Sequence, residues 1–344
     1  MHISDFDYEL PEELIAQQPL VKRDASRMLV LDRFQRRWLD TNFAAIPEYL
    51  RPNDVLVLND TRVFPARLEG KRVPSGGAVE LLLLREIESD LWECLARPAR
   101  RLATGARVVL GNSNLYGEVV ESRDHGLRLI RFESEEPLDR IIDRLGRTPL
   151  PPYIKRAADS VEDCERYQTV YANKRGAIAA PTAGLHFTAR LLETIQDRGV
   201  HIARITLHVG YGTFEPVRVD EVKLHRVAPE WFSISEEAAQ IINQARRDGG
   251  RIVAVGTTTT RALESSAASD GILLSQSGLA DLTIVPGYAF RAVDALLTNF
   301  HLPRSSLLLL VSAFTGRELT LAAYRHAVKE RYRFYSYGDC MLIL

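Results

Sequence analysis

Arg251-Ile252-Val253-Ala254-Val255-Gly256-Thr257-Thr258-Thr259-Thr260-Arg261 is the stretch whose reading decides the fold. The apolar run Ile252–Val255 has the length and continuity of a strand buried on both faces. Gly256 stops it, and the threonines that follow suit a helix's first turn. A buried strand running through one glycine into a helix is the junction of an α/β sheet, where the strand's carboxyl end and the helix's amino end converge. Such a junction collects free N–H groups and a positive dipole, so it is an anion site, with Arg261 able to add a bidentate contact to a carboxylate or phosphate. Threonines that merely cap a helix are the plain alternative. The segment is not a P-loop, because it lacks a Gly-Lys-Ser/Thr ending.

The pattern repeats on either side. Asp54-Val55-Leu56-Val57-Leu58-Asn59-Asp60 is a second continuous apolar strand. In His201–Val209, Ile205, Leu207 and Val209 fall on one face and Arg204, Thr206 and His208 on the other. Thr188 is placed to cap a helix carrying Leu191, Leu192 and Ile195, with Gly199 at its end, and Ser235 begins another with Ile241, Ile242 and Ala245 before Gly249-Gly250. Ala177–Ala180 reads as a further buried strand. Between residues 63 and 148 the texture differs: short Val/Leu/Ile runs are broken by Ser75-Gly76-Gly77, Ser89-Asp90, Thr104-Gly105, Gly111–Asn114 and Asp124-His125-Gly126, the signature of a small β-barrel. The fold class expected is α/β: a catalytic domain from residues 1–62 and 149–344, interrupted by a β-barrel domain at 63–148.

Composition bounds the function. With 344 residues, 44 Lys+Arg against 45 Asp+Glu and a formal charge of -1, the chain is not a globally basic nucleic-acid clamp, though local basic patches remain open. Cys94, Cys164 and Cys340 are widely spaced with no C-x-x-C pair, so neither a disulfide framework nor a structural zinc site is expected, and no metal site of any kind. The start of the chain has no signal-peptide pattern, and Leu307–Phe314 is too short to span a bilayer, so a cytoplasmic protein without membrane attachment is expected.

Several segments carry candidate chemistry. Ala180-Pro181-Thr182-Ala183-Gly184-Leu185-His186-Phe187 puts a histidine at a strand-to-helix junction, where it can exchange protons near neutral pH or make a structural hydrogen bond. Leu207-His208-Val209-Gly210-Tyr211-Gly212-Thr213-Phe214 puts a second at a strand end, with glycines that let a planar ring stack beside Tyr211 and Phe214. Asp294–Ser305 sets Asp294, Asn299, His301 and Arg304 between apolar runs, where polar groups need partners. Asn59-Asp60-Thr61-Arg62 has the same character. Basic residues gather at Arg97, Arg100, Arg101 and Arg107, and at Lys155 and Arg156 next to Tyr153, a mixture suited to RNA phosphates and unpaired bases. Solvated surface is the plain alternative for each cluster.

Taken together these segments resemble the S-adenosylmethionine:tRNA ribosyltransferase-isomerase family of queuosine biosynthesis. The resemblance is carried by Arg23–Val30, Leu58–Val63, Pro149–Ile154, Tyr167–Ala172, Ala180–Phe187, Leu207–Phe214, Val255–Ser265, Pro286–Tyr288, Leu297–Arg304 and Tyr335–Asp339, and it runs from end to end. It departs in two places. The family's His-x-Met-His-Ser-Glu run is represented by Val222-Lys223-Leu224-His225-Arg226 with Glu230 set apart, and Thr259-Thr260 replaces Ser-Val after Gly-Thr-Thr.

The resemblance implies a barrel-like α/β large domain with an inserted closed Greek-key β-barrel. It implies transfer and isomerisation of the ribosyl moiety of S-adenosylmethionine onto 7-aminomethyl-7-deazaguanine at the tRNA wobble position, giving epoxyqueuosine-tRNA, adenine and methionine. S-adenosylmethionine is then consumed, with no separate cofactor and no obligatory protein partner, by a monomer. By motif position, His186 or His208 is the general base and Asp60 or Asp294 stabilises developing positive charge. Gly256, Thr257, Thr258 and Arg261 hold the methionine carboxylate, Tyr211 or Phe214 stacks on adenine, and Asn299, His301 and Arg304 complete the substrate site. Arg97, Arg100, Arg101, Tyr153, Lys155 and Arg156 contact tRNA. An S-adenosylmethionine-dependent RNA methyltransferase is the rival enzyme, without its Gly-x-Gly loop here. A noncatalytic tRNA-binding protein is the rival from outside catalysis.

Overall fold

The computed structural model describes residues 1–111, 114–155, 161–214 and 217–344, without the side chains of residues 161, 162, 213 and 214. The chain divides into two compact units. The first takes residues 1–62, 152–155 and 168–344; the second takes 63–151 and returns through the helix Val161–Arg166 to Tyr167. Residues on both sides of 149 thus belong to the barrel unit, where the Thr148 hydroxyl donates to Cys164 Sγ over 3.0 Å.

The barrel unit is a closed six-stranded antiparallel barrel of Arg67–Val73, Ala78–Glu88, Leu91–Arg97, Arg107–Leu110, Leu115–Ser122 and Leu127–Glu133. Its first three strands form a meander and the fourth returns to pair beside the first, which is the Greek-key order. Alternate residues such as Leu81, Leu83, Val108, Leu110, Leu115 and Ile130 are buried inside. Arg128 is buried too: its guanidinium donates to the carbonyls of Leu102 at 2.5 Å, Ala99 at 2.5 Å and Arg123 at 3.0 Å, which sets the turn bearing Arg100 and Arg101.

The other unit is built on a nine-stranded mixed sheet. From edge to edge its order is Gln276–Ala280, Glu230–Ile234, His201–Leu207, Val55–Asn59, Ile252–Val255, Ala295–Asn299, Cys340–Ile343, Arg27–Asp32 and Arg37–Asn42. The central four, from His201–Leu207 to Ala295–Asn299, run parallel. Every residue of Val55–Asn59, Ile252–Val255 and Ala295–Asn299 is buried, as their unbroken apolar texture predicts. Helices Ala189–Asp197 and Glu236–Arg247 start where expected, with the Thr188 and Ser235 hydroxyls accepting from Leu191 and Ala238 N–H. The expected strand at 177–180 is different: Lys174–Ala177 is the strand, and Ile178–Ala180 continue as buried, non-repetitive chain. Apolar length alone does not distinguish the two.

At the amino edge, Asp54 clamps neighbouring strands together. It accepts from the backbone N–H of Arg51 and Arg251, both at 2.8 Å, and from the Arg251 guanidinium at 2.7 Å. Asp54 is fully buried, so Asp54→Ala strands a cation and two amides and is expected to cost roughly 3–5 kcal/mol of unfolding free energy. Urea titration of the two proteins checks this; a loss under 1 kcal/mol contradicts the clamp.

Candidate active site

Parallel strands in register end at the same edge, so four chain segments meet there: Asn59-Asp60-Thr61, Leu207-His208-Val209, Gly256-Thr257-Thr258 and Thr298–His301. Asn59 ties three of them. Its Nδ2 donates to the Leu207 carbonyl at 2.9 Å and to Thr258 Oγ1 at 3.5 Å, while its Oδ1 accepts from the N–H of Leu207 at 2.9 Å and Thr61 at 3.2 Å. The side chain is fully buried and fully bonded, which fixes it.

Beyond this edge lies a cleft lined by Ala180–Ala183, Val209, Gly256–Thr258, Thr298, Asn299, His301, Leu307, Tyr335 and Ser336. Counted out to its open mouth it takes in about 510 Å³, of which about 40 Å³ is enclosed, so it is a narrow cleft open to solvent. Gly256 caps the helix Thr257–Ser266 at φ 93°, a conformation glycine takes without strain. The first N–H groups of that helix have no partner within it, so the cleft meets a helix's positive end. Tyr335 is held at φ 74°, unusual for a bulky residue and a conformation costing on the order of 1 kcal/mol. Its ring packs edge-on against Tyr153, 4.0 Å between centroids, and the Tyr153 hydroxyl donates to Ser336 Oγ.

The two candidate bases differ sharply. His186 lies behind the cleft, buried against Phe43, with Nδ1 2.8 Å from Ser26 Oγ. Its buried Nε2 has the equally buried Asn299 carboxamide oxygen as its neighbour. Burial holds its pKa down to about 4, against the pull of the Asn299 carboxamide, with the cations of Arg333 and Arg23 adding to the depression. His301 lines the cleft 2.8 Å from Thr298 Oγ1, and burial brings it down to about 3.

His208, next to the cleft-lining Val209 but like Asp60 not itself in the lining, is only partly buried. Its Nδ1 is 2.8 Å from Thr61 Oγ1, and one ring face stacks on Trp231 at 4.9 Å and 20°. The other face meets the Gly176 backbone so closely that a Cβ there would lie 2.5–2.6 Å from Nε2, Cδ2 and Cε1. Held on Nδ1 and both faces, the imidazole keeps Nε2 without a hydrogen-bond partner among the described residues. Burial lowers its pKa, and the nearby Asp60 carboxylate opposes that. Asp60 is buried and accepts from Thr206 Oγ1 at 2.7 Å.

Several expectations need correction. Asp294 is exposed at the amino end of strand Ala295–Asn299, about 16 Å along the strand from the cleft, where it accepts from Ile252 N–H at 2.8 Å. Arg261 faces away from the cleft: its guanidinium is buried against Glu230 at 2.5 Å and the carbonyls of Leu282, Ala280 and Ala228, which uses its donors. Glu230 in turn accepts from Gly210 N–H at 2.8 Å, so the pair shapes the loop after His208. Arg304 is a surface partner of Asp7. Tyr153, half-buried, buttresses the cleft wall through Tyr335 and Ser336, and Lys155 pairs with Glu12 at the surface. Tyr211 is partly buried outside the cleft lining; the Phe214 side chain and Arg156 lie outside the described residues. Arg97, Arg100 and Arg101 are exposed, with no ion-pair partner among the described residues.

The long motif Arg23–Val30 acts through distant partners. Arg23 donates to the Leu185 carbonyl at 3.2 Å, Ser26 meets His186, and the Arg27 N–H donates to Asp339 Oδ1 at 2.9 Å. Thr298, Tyr335 and Ser336 line the cleft without having been given a role from the sequence; they were legible only within the stretches Leu297–Arg304 and Tyr335–Asp339 that carry the resemblance. Among the described residues, no single helix is long and apolar enough to cross a membrane, and the apolar Ser306–Thr315 bends by 116° into Arg317–Lys329.

This is the arrangement of an α/β enzyme that takes its ligand beyond the carboxyl edge of a parallel sheet. A family model described as queuosine biosynthesis protein matches residues 3–343. Over the full length of both chains, the S-adenosylmethionine:tRNA ribosyltransferase-isomerase of Symbiobacterium thermophilum is 53% identical and that of Halothermothrix orenii 51%. A crystal structure of an S-adenosylmethionine tRNA ribosyltransferase from Thermotoga maritima is 38% identical, covers 99% of this chain and 100% of that one, and superposes with a TM-score of 0.56. The chain belongs to the queuosine biosynthesis protein family.

Two of the three buried histidines, His186 and His301, make the fold strongly acid-sensitive. Their folded pKa values, about 4 and about 3, lie below the unfolded value near 6.5, so the unfolded state binds protons first. Stability is complete above about pH 6.5 and falls as pH drops toward 3, by roughly 2 kcal/mol per histidine at pH 5. Denaturant titrations at pH 7 and pH 5 should show the loss, and His186→Gln should remove roughly 2 kcal/mol of it. An unchanged pH dependence in that variant contradicts the assignment.

Proposed function

We propose that the cleft is where S-adenosylmethionine binds and is opened by this transferase, an S-adenosylmethionine:tRNA ribosyltransferase-isomerase whose ribosyl acceptor is 7-aminomethyl-7-deazaguanine at the tRNA wobble position. The observation that carries the reading is the convergence at one sheet edge of a helix amino terminus, the Asn299 carboxamide that lines the cleft, and His208 with the Asp60 carboxylate near it. The methionine carboxylate suits the Gly256–Thr258 end of the helix, which offers N–H groups and a positive dipole. The Asn299 Nδ2 is committed to the Tyr335 carbonyl at 2.8 Å and His186 neighbours its Oδ1, so what the carboxamide offers a ligand donor is the second lone pair of that oxygen.

The sulfonium acidifies the C5′ protons of S-adenosylmethionine. A neutral imidazole can remove one, and His208, whose lowered pKa keeps it neutral at pH 7, has Nε2 available for it. Asp60 offsets the imidazolium that results and the positive charge that develops as the sugar opens. Adenine leaves with a proton, methionine departs as a neutral thioether, and the ribosyl carbons pass to the aminomethyl nitrogen to give epoxyqueuosine-tRNA. S-adenosylmethionine is consumed as donor, so the reaction calls for no separate cofactor or protein partner. His186, buried behind Asn299, positions that carboxamide.

His208→Gln should lower adenine release from S-adenosylmethionine and precursor tRNA by at least about a hundredfold while leaving S-adenosylmethionine affinity within about threefold. Gly176→Ala should reproduce the defect by displacing the ring. Single-turnover rates of the wild type should be flat from pH 7 to 8 and fall only below about pH 6.5. Wild-type adenine release in folded His208→Gln removes His208 as the base, and S-adenosylhomocysteine as product would replace the reaction class.

A further inference from the structure

Trp231 is the feature at this sheet edge that the proposed chemistry leaves unused. It is 43% exposed, although tryptophan is a costly residue to leave in water, and Phe34 and Tyr116 are the other exposed large aromatics among the described residues. Its orientation is fixed from both sides of the sheet pair: it stacks on His208 and sits opposite Leu279 in the edge ladder. Cations surround the same corner. The Asp60 carbonyl accepts from Lys174 N–H at 3.1 Å, Arg62 follows Thr61 whose hydroxyl holds His208, and Arg204 precedes Thr206 and His208 on one strand face. Arg62, Lys174 and Arg204 are exposed and have no carboxylate partner among the described residues. Two carboxylates at this corner are buried and committed, Asp60 to Thr206 and Glu230 to Arg261.

A rigid aromatic platform beside unpaired cations fits a single-stranded RNA loop, whose bases stack on flat rings while its phosphates attract Lys and Arg. We propose that Trp231 stacks an unpaired base of the tRNA's anticodon loop, and that Arg62, Lys174 and Arg204 hold the phosphates on either side of it. The surface lies on the sheet-bearing unit and is independent of the barrel arginines. The proposal rests on tRNA being the acceptor, and names where its loop docks.

Binding measured without S-adenosylmethionine separates docking from chemistry. The probe is a fluorescently labelled anticodon stem-loop RNA with guanine at the wobble position, titrated by anisotropy with the full chain at several salt concentrations. Trp231→Leu, which keeps an apolar side chain without a ring, should bind about tenfold more weakly with an unchanged salt slope, and Trp231→Phe should stay within about threefold of wild type. The Arg62→Gln, Lys174→Gln, Arg204→Gln triple variant should lose about 2 from the slope of log K against log salt, at about 0.7 per phosphate contact. Wild-type affinity in Trp231→Leu, or equal losses in the Leu and Phe variants, overturns the platform while leaving the tRNA reading intact. A change of oligomeric state in Trp231→Leu with RNA affinity unaltered also overturns it, assigning the patch to protein contact. Failure of the wild type to bind the stem-loop or whole tRNA overturns platform and acceptor together.

Discussion

The Asn59 carboxamide is the interaction on which the site depends. Four hydrogen bonds from one buried side chain lock the ends of two parallel strands to the first turn of the helix after a third. Buried amides are expensive unless bonded, so the set is all-or-nothing: with it complete, Thr258, Val209 and His208 hold fixed positions relative to one another. Asp54 does the corresponding work at the other edge, and between these two polar clamps lie the wholly apolar runs that make the strands.

Preorganisation extends outward from that edge by contacts that leave specific atoms uncommitted. His208 is gripped by Thr61, Trp231 and the bare backbone of Gly176, with Nε2 spared. Asn299 gives its amide to Tyr335 and has His186 beside its oxygen. Tyr335 is itself forced into a left-handed conformation and braced by Tyr153. A site built this way spends its hydrogen-bonding capacity on geometry and offers the remainder to ligand, which is how modest side chains stabilise a transition state.

The corrected residues share one cause. Arg261 and Glu230 are charged groups in a chain that buries both, so each is the other's best partner, and the pair becomes a strut for the Gly210 loop. Asp294 is within five residues of Asn299, yet an extended strand carries them to opposite edges of the sheet. His186 lies in as distinctive a segment as His208 but is buried, where desolvation holds its pKa down to about 4, whereas His208 is only partly buried. Proximity in sequence to a distinctive motif does not say which side of a wall a side chain occupies.

Read alone, the chain already determined the α/β class, the inserted barrel, the parallel strands ending near Asp60, His208 and Gly256, and the helix caps at Thr188 and Ser235, because hydrophobic period, turn chemistry and capping are local consequences of residue type. The resemblance carried the family. Which histidine stays open, which arginine is spent in an ion pair, and that Tyr153 props a wall were decided only by tertiary structure. Those outcomes depend on desolvation and on partners more than a hundred residues away, such as Thr61 for His208, Ser26 for His186 and Ser336 for Tyr153, and no local pattern encodes which distant group will arrive.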